Sequence, residues 1–224
     1  MKKTLFFPIL LFAFINVFAE DKKVNVPLTD PSFKVLYTIP GSDFQENRKI
    51  FEINPTPEIK IDGVLNEQIK THPLIIRNGK SITAKIYFSY NNNGLYLFAD
   101  VSDASPALNK NTKEKINMGD SIELLINFGT FYHIGIKASE KKELWNWTLK
   151  SPVDRENTVY KKTKNGYVIE SQIPWHNFMM GCLCSLRNKN LDFNIIINDK
   201  TYNNNLVKYK WCNDDGGCGY VVFR

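Results

Sequence analysis

The chain has 224 residues, a formal net charge of +6 at pH 7 and an aromatic content of 13%. Its basic residues are scattered and form only short pairs such as Lys141-Lys142 and Lys161-Lys162. This pattern indicates solvated surface and argues against a nucleic-acid partner. After the first 19 residues, no run is long and apolar enough to cross a bilayer.

Residues 1–19 have the composition of a secretory signal peptide. Lys2 and Lys3 precede an apolar, phenylalanine-rich run, and Val17 and Ala19 form the small-residue pattern of a cleavage site. We expect this segment to be cleaved and the rest of the chain to be exported, either secreted or periplasmic. Removal of the two lysines leaves 27 basic against 23 acidic residues, a net charge of +4.

Residues 20–50 are interpreted as a polar lead segment, and residues 51–224 as one domain. From residue 51 onward, apolar residues recur with a period of two, which is typical of half-buried strands. The segments are, in chain order, ITAKIYFSY, GLYLFADVSD, DSIELLINF, FYHIGIKAS, ELWNWTLK, NGYVIESQIPW, LDFNIIIND and GYVVFR. NNNG at 91–94 predicts a hairpin turn, and short helical turns are expected around 65–69 and after Pro174. Some nine strands at this spacing predict an all-β sandwich or barrel.

All four cysteines, Cys182, Cys184, Cys212 and Cys218, lie near the end of the chain. In an exported protein an even number of cysteines favours disulfides. Cys182 and Cys184 are too close to pair with each other, so we expect each to bond to Cys212 or Cys218. A zinc site is the alternative, which the C-x-C and C-x5-C spacings do not favour.

The sequence carries no recognisable catalytic motif. His72, His133 and His176 share no metal-ligand spacing, and the GDS at 119–121 lacks the second glycine of a nucleophile elbow. Glycoside hydrolysis needs two cooperating carboxyl groups. Asp120 and Glu123 are three apart on a strand and so point to opposite faces. We therefore expect a non-enzymatic protein.

Aspartates at turns and strand ends are candidate ligands for calcium, a cation that prefers oxygen ligands. The candidates are Asp62, Asp103 and Asp199. The alternative is that each aspartate bonds its own backbone and simply ends a strand or forms a turn.

Tryptophans on one strand suggest a sugar site. Sugar rings have apolar C–H faces that pack flat on aromatic rings, while their hydroxyls need fixed polar partners. Trp145 and Trp147 share one strand face, and Glu123 and His133 supply an acceptor and a donor on nearby strands. The alternative is that the two tryptophans fill the core of the sandwich.

Several segments, taken in chain order, resemble motifs of the family-nine carbohydrate-binding modules and their DOMON-like relatives. IDGVLNEQ at 61–68 is similar to the entry motif, in which an I-D-G-x-L-x-E turn leads into the first paired strand. The others are AKIYFSYNNNGLYLFADVSDASP, GDSIELLIN, NGYVIESQIPW, LDFNIIINDK and the terminal YKWCNDDGGCGYVVFR. Together they cover about residues 51–224.

The resemblance implies a jelly-roll-like antiparallel β-sandwich with short helical turns, a cleft that binds poly- or oligosaccharides, and calcium as a structural cofactor. In sugar-binding members one tryptophan often precedes the D-S-V-E strand and another stands near the last strand. Here Asn117 and Met118 take the first place, and Trp211 remains near the last strand. Glu123 matches the acidic position, and His133 falls roughly where a basic donor is seen. The candidate carbohydrate-binding residues are therefore Glu123, His133, Trp145, Trp147 and Trp211.

Three functions remain open. The favoured one is an exported, non-catalytic carbohydrate-binding module that uses aromatic stacking and polar contacts, alone or beside a glycoside hydrolase encoded separately. The second is a structural or interaction sandwich that has lost its sugar site, which the replaced tryptophans favour. The third is a haem-binding electron-transfer domain. Haem is the less favoured cofactor because no spacing selects its ligands among Met118, Met179, Met180, His133 and His176.

Overall fold

The structure is a computed structural model that describes residues 50–66, 69, 72–78, 82–105, 109–154, 156–179, 189–212 and 219–224. The signal peptide and almost all of the lead segment lie outside the described residues, as do Cys182, Cys184 and Cys218. Cleavage, export and disulfide pairing therefore stay predictions. The remaining cysteine, Cys212, is buried in the core. Within the described ranges, no helix has the length and apolar character needed to pass through a membrane.

The described residues form 13 strands and two short 3-10 helices, which confirms the all-β prediction. The strands are β1 (Ile50–Pro55), β2 (Leu74–Asn78), β3 (Ile82–Tyr90), β4 (Gly94–Asp103), β5 (Ser121–Asn127), β6 (Phe131–Lys137), β7 (Leu144–Asn146), β8 (Ser151–Pro152), β9 (Asn157–Thr163), β10 (Gly166–Pro174), β11 (Asn190–Lys200), β12 (Leu206–Lys210) and β13 (Gly219–Phe223). The 3-10 helices are Lys113–Met118 and Trp175–Phe178, the second of which was expected after Pro174. Strands β1, β2, β8, β9 and β12 lie outside the eight segments named from the sequence, and β8, with two residues, is too short to show a period of two.

Two sheets pack face to face and share strand β1. Sheet I contains β2, β3, β4, β10 and β9, and sheet II contains β8, β7, β6, β5, β11, β12 and β13. The first four residues of β1 pair with β13, and its last two pair with β3. Both of these pairings are parallel, whereas the other strand pairs are antiparallel. The sandwich is therefore antiparallel as expected, except where β1 crosses from one sheet to the other.

The core lies between the sheets and leaves the outer face of sheet II, the face opposite the core, for polar residues. On β5, Ile122, Leu124 and Ile126 are fully buried in the core. Each fully buried aliphatic side chain of this kind contributes roughly 1.5–3 kcal/mol. Because side chains alternate along a strand, Ser121 and Glu123 must point to the outer face.

The turn of the entry motif is held by a buried carboxylate. Glu170 on β10 is fully buried and accepts hydrogen bonds from the backbone N–H groups of Asp62 and Gly63 and from the hydroxyl of Tyr96. Gly63 has a φ of 75°, which glycine adopts without strain. The carboxylate of Asp62 accepts a bond from the N–H of Val64, as the turn interpretation expected. The motif is thus an architectural joint between the entry segment and sheet I.

Candidate functional site

A buried carboxylate gathers three polar side chains on the outer face of sheet II. Glu123 on β5 is only 1% exposed. Its carboxylate accepts hydrogen bonds from Nε2 of His133, from Nδ2 of Asn198 at 2.7 Å and from Nζ of Lys208 at 3.0 Å. These residues come from β6 and β11, which flank β5, and from β12, which pairs with β11. We call Glu123 with these three partners the Glu123 clamp.

The clamp keeps Glu123 ionised. Burial by itself raises the pKa of Glu123, but the hydrogen bonds from His133, Asn198 and Lys208 outweigh this effect and lower its pKa to about 2. His133 and Lys208 are 30% and 39% exposed. They are therefore anchored at one end and open to solvent at the other.

Trp147 packs beside the clamp. Its ring centroid lies 4.3 Å from that of His133, with an angle of 35° between the planes, and its Nε1 donates a hydrogen bond to the carbonyl of Glu114. A Cβ at Gly135 on β6 would lie 2.4 Å from the Trp147 ring, so the glycine makes room for it. Trp145 pairs in register with Gly135, which places it on the same outer face. Both tryptophans are half-buried, so the interpretation that they fill the core is wrong.

The strand predicted over 143–150 ends early, and this places Trp147. β7 stops at Asn146 because the side chain of Asn146 accepts a hydrogen bond from the N–H of Leu149, which starts a turn. Lys150, at the end of this turn, has a φ of 52°. Trp147 thus lies in a turn, while its N–H still bonds the carbonyl of His133.

Two exposed apolar side chains border the same end of sheet II. Met118 is 52% exposed and lies three residues before the start of β5, and Tyr202 is 76% exposed in the turn between β11 and β12. β5 and β11 are antiparallel, with Ser121 opposite Asn198. The start of one strand therefore adjoins the end of the other, and both side chains lie at the end of the sheet that carries the clamp.

A second group of carboxylates lies between the sheets. Asp103 ends β4 in sheet I, Asp120 precedes β5, and Asp199 lies on β11 in sheet II. One carboxylate oxygen from each residue lies within 4.8 Å of those of the other two, and all three residues are buried. We call these three residues the acidic cluster. Two unit charges about 5 Å apart repel by roughly 3 kcal/mol at an effective dielectric constant of about 20.

The acidic cluster has the donor set that calcium prefers. Oδ2 of Asp103 and Oδ1 of Asp199 are buried and have no hydrogen-bond partner among the described residues. Burial raises the pKa of Asp103, and burial together with the charge of Asp103 raises the pKa of Asp199 to about 6. Both observations fit carboxylates that lack a cationic partner.

One predicted metal ligand lies outside this cluster. Asp62 is in the entry turn, where its carboxylate is 3.4 Å from Nζ of Lys60 and accepts the N–H of Val64. Its assignment beside Asp103 and Asp199 is therefore corrected, because the folded chain brings Asp120 to them instead.

The Glu123 clamp and the strands from β2 to β12 fall within a stretch that matches a known family. The family model described as carbohydrate family 9 binding domain-like matches residues 65–220. The chain belongs to this family. The resemblance inferred from the motifs is thereby confirmed, and it is a family of carbohydrate-binding modules.

Solved structures show the same fold for the carbohydrate family 9 domain. A carbohydrate binding module family 9 from Caldicellulosiruptor kristjanssonii in complex with cellotriose has a TM-score of 0.62 and 16% identity, covering 79% of this chain and 94% of that chain. The complex of such a module from the same organism with glucose has a TM-score of 0.60 and 16% identity, covering 79% of this chain and 96% of that chain. A protein from Bacteroides uniformis has a TM-score of 0.55 and 11% identity, covering 79% of this chain and 99% of that chain. A search of the curated proteins finds no match.

The last tryptophan is part of the core of this carbohydrate family 9 domain. Trp211 is 3% exposed, and its ring packs edge-on against Phe193 at 5.7 Å. A Cβ at Gly219 would lie 2.2 Å from the Trp211 ring, so this glycine admits the ring to the interior. The assignment of Trp211 as a carbohydrate-binding residue is therefore corrected, since its faces are covered by protein.

Sequence reasoning found two members of the clamp and missed the others. Asn198 stands in the segment LDFNIIINDK, which resembles a family motif with an asparagine at this position, and that asparagine was a usable signal. Lys208 and Tyr202 had no such signal, because a lysine on a short edge strand and a tyrosine in a turn are ordinary surface residues. The antiparallel pairing of β11 with β12, which sets Lys208 opposite Asn198, brings them to the site.

Proposed function

We propose that this chain is an exported, non-catalytic carbohydrate-binding module that binds an oligo- or polysaccharide on the outer face of sheet II. The observation that carries the proposal is the Glu123 clamp beside Trp147. It presents two fixed polar groups that are partly open to solvent, the imidazole of His133 and the ammonium donor of Lys208, next to an aromatic ring. This is the combination that sugar recognition requires.

Glu123 acts as a positioning residue in this proposal. It is almost completely buried, and both of its oxygens already accept hydrogen bonds. The sequence suggested that it meets the ligand as an acceptor. In the folded domain its role is to orient His133 and Lys208, whose outward atoms meet the sugar hydroxyls.

Aromatic and apolar side chains provide the stacking surface. Trp147 and Trp145 are half-buried on the outer face, and Met118 and Tyr202 border the same end of the sheet. Packing of the C–H face of a sugar on such rings supplies affinity, while the clamp supplies orientation. The complexes of the Caldicellulosiruptor module with cellotriose and glucose make glucose-based oligosaccharides the first ligands to test.

Calcium is the proposed structural cofactor, with Asp103, Asp120 and Asp199 as its ligands. The buried oxygens of Asp103 and Asp199 without partners support this assignment. When bound, the ion would neutralise the mutual repulsion of three buried carboxylates. Because Asp103 belongs to sheet I and the other two residues flank or lie in sheet II strands, these ligands would join the two sheets.

The test is isothermal titration of the full chain with cellotriose and glucose. We expect His133→Ala to weaken cellotriose binding about tenfold or more, since it removes a polar group of the site and the ring that packs against Trp147. His176→Ala is the matched control, because His176 is half-exposed and pairs with Asp154 away from the clamp. An absence of binding to glucan, xylan, chitin and peptidoglycan fragments would favour the alternative of a sandwich that has lost its sugar site.

A further inference from the structure

The acidic cluster and the Glu123 clamp are built on the same two strand ends. Asp120 and Ser121 are consecutive at the start of β5, and Asn198 and Asp199 are consecutive near the end of β11. Ser121 lies directly opposite Asn198 in the antiparallel register. Because neighbouring side chains on a strand point to opposite faces, one member of each pair faces the cluster and the other faces the clamp.

Hydrogen bonds connect the two groups through this strand pair. Nδ2 of Asn198 donates to Oγ of Ser121 at 2.9 Å and to Glu123 at 2.7 Å. On the other side, the N–H of Lys200 donates to the carboxylate of Asp120 at 2.8 Å. The spacing between β5 and β11 at this end therefore sets the geometry of both groups.

A further buried group indicates that the cluster takes a ligand. The hydroxyl of Tyr167 is buried and has no hydrogen-bond partner among the described residues. Tyr167 on β10 pairs in register with Val101 on β4, so its side chain lies on the core face of sheet I, the same face as Asp103 two residues further along β4. Burial raises the pKa of Tyr167, and the charges of Asp120, Asp103 and Asp199 raise it further. A buried polar group without a partner is rare in native proteins. A hydrated cation would satisfy the hydroxyl as well as the carboxylates.

We propose that a divalent cation bound by Asp103, Asp120 and Asp199 strengthens sugar binding at the Glu123 clamp through the paired ends of β5 and β11. This inference rests on the proposed function. Without the cation, the carboxylates repel one another and separate the two strand ends. Asn198 then withdraws from Glu123, and His133 and Lys208 lose their fixed orientation.

The experiment compares cellotriose binding to the full chain in calcium chloride and after chelation with EGTA. We expect the Kd to rise at least about fivefold on chelation, the lower end of typical coupling between sites. Linkage requires that saturating cellotriose lower the Kd for calcium by the same factor. Circular dichroism at the titration temperature checks that the chelated chain stays folded, and the melting temperature reports calcium binding itself.

Two matched variants sharpen the test. Asp199→Asn keeps the side-chain volume and removes one ligand charge, so it should abolish the calcium effect on both cellotriose Kd and melting temperature. Asp100→Asn, three residues before Asp103 on β4 and exposed, should leave both effects intact.

Each contrary outcome overturns a distinct statement. Equal cellotriose affinities with and without calcium, alongside a calcium-dependent melting temperature, would overturn the coupling alone. A melting temperature that calcium does not change would overturn the cation site. If chelation unfolds the chain, the loss of cellotriose binding reflects a loss of global stability, and the coupling is also overturned. Absence of binding in both conditions would overturn the proposed function, and the coupling with it.

Discussion

Replacement of Glu123 by glutamine tests whether the clamp depends on charge. The substitution keeps the shape of the side chain and removes the charge that His133 and Lys208 face. The lowering of the Glu123 pKa from 4.5 to about 2 corresponds to roughly 3 kcal/mol of preference for the ionised form in the folded state, at about 1.4 kcal/mol for each pH unit. A glutamine oxygen still accepts one of the bonds, so we expect a loss of about 2 kcal/mol in the free energy of unfolding at pH 7.

The pH dependence of this loss has a defined sign. Because the folded-state pKa is lowered, the contribution of Glu123 is fully present above the unfolded value of 4.5 and disappears as the pH falls through about 2. The difference between the wild type and Glu123→Gln should therefore change little from pH 7 to pH 5 and fall by roughly 2 kcal/mol, to near zero, by pH 3.

Urea unfolding at pH 7, 5 and 3 measures this difference directly. Glu140→Gln is the matched control, because Glu140 is exposed in the loop after β6 and should change stability by less than about 0.5 kcal/mol. A loss below about 0.5 kcal/mol for Glu123→Gln at pH 7 would refute the reasoning. So would a loss that stays unchanged between pH 5 and pH 3.

Three further substitutions probe other contacts. Glu170→Gln should lower the free energy of unfolding by about 2–4 kcal/mol, because it disturbs the three hydrogen bonds that a fully buried carboxylate accepts. Urea unfolding of a double-mutant cycle with Tyr96→Phe measures this, and a cycle that shows no coupling would contradict it. Gly135→Ala should push the Trp147 ring away from the sheet, since the new Cβ would lie 2.4 Å from it, and we expect a red-shifted tryptophan fluorescence and weaker cellotriose binding. Met118→Trp should strengthen cellotriose binding in calorimetry by adding an aromatic face at the exposed position before β5, and an unchanged Kd would place Met118 outside the site.

The two tryptophans that sequence reasoning treated alike show where local pattern stops being informative. Trp147 and Trp211 each follow a short strand, and each ring rests on a glycine of another strand. Gly135 lies on the outer face of β6 and holds Trp147 at the surface, whereas Gly219 admits Trp211 to the core. Whether each tryptophan lies at the surface or in the core depends on which strand pairs beside it. The alternation of side chains along one strand does not reveal that neighbouring strand.

The sequence by itself determined the class of fold and the two-faced character of its central strands. Alternation along β5 predicts that Ile122 and Leu124 face a core while Glu123 faces away, because side chains on a strand point to opposite sides. The ordered motifs also named Glu123 and His133 as candidate site residues.

Only the tertiary structure decided which distant groups meet. Lys208 reaches Glu123 across 85 residues of chain, and Asp103 joins Asp120 and Asp199 from the opposite sheet. The crossing of β1, which pairs with β13 and with β3, joins the two sheets at one edge. These long-range contacts follow from the order and register of the strands and from the packing of the two sheets. The total burial of apolar surface sets that arrangement, and no local pattern of residues does.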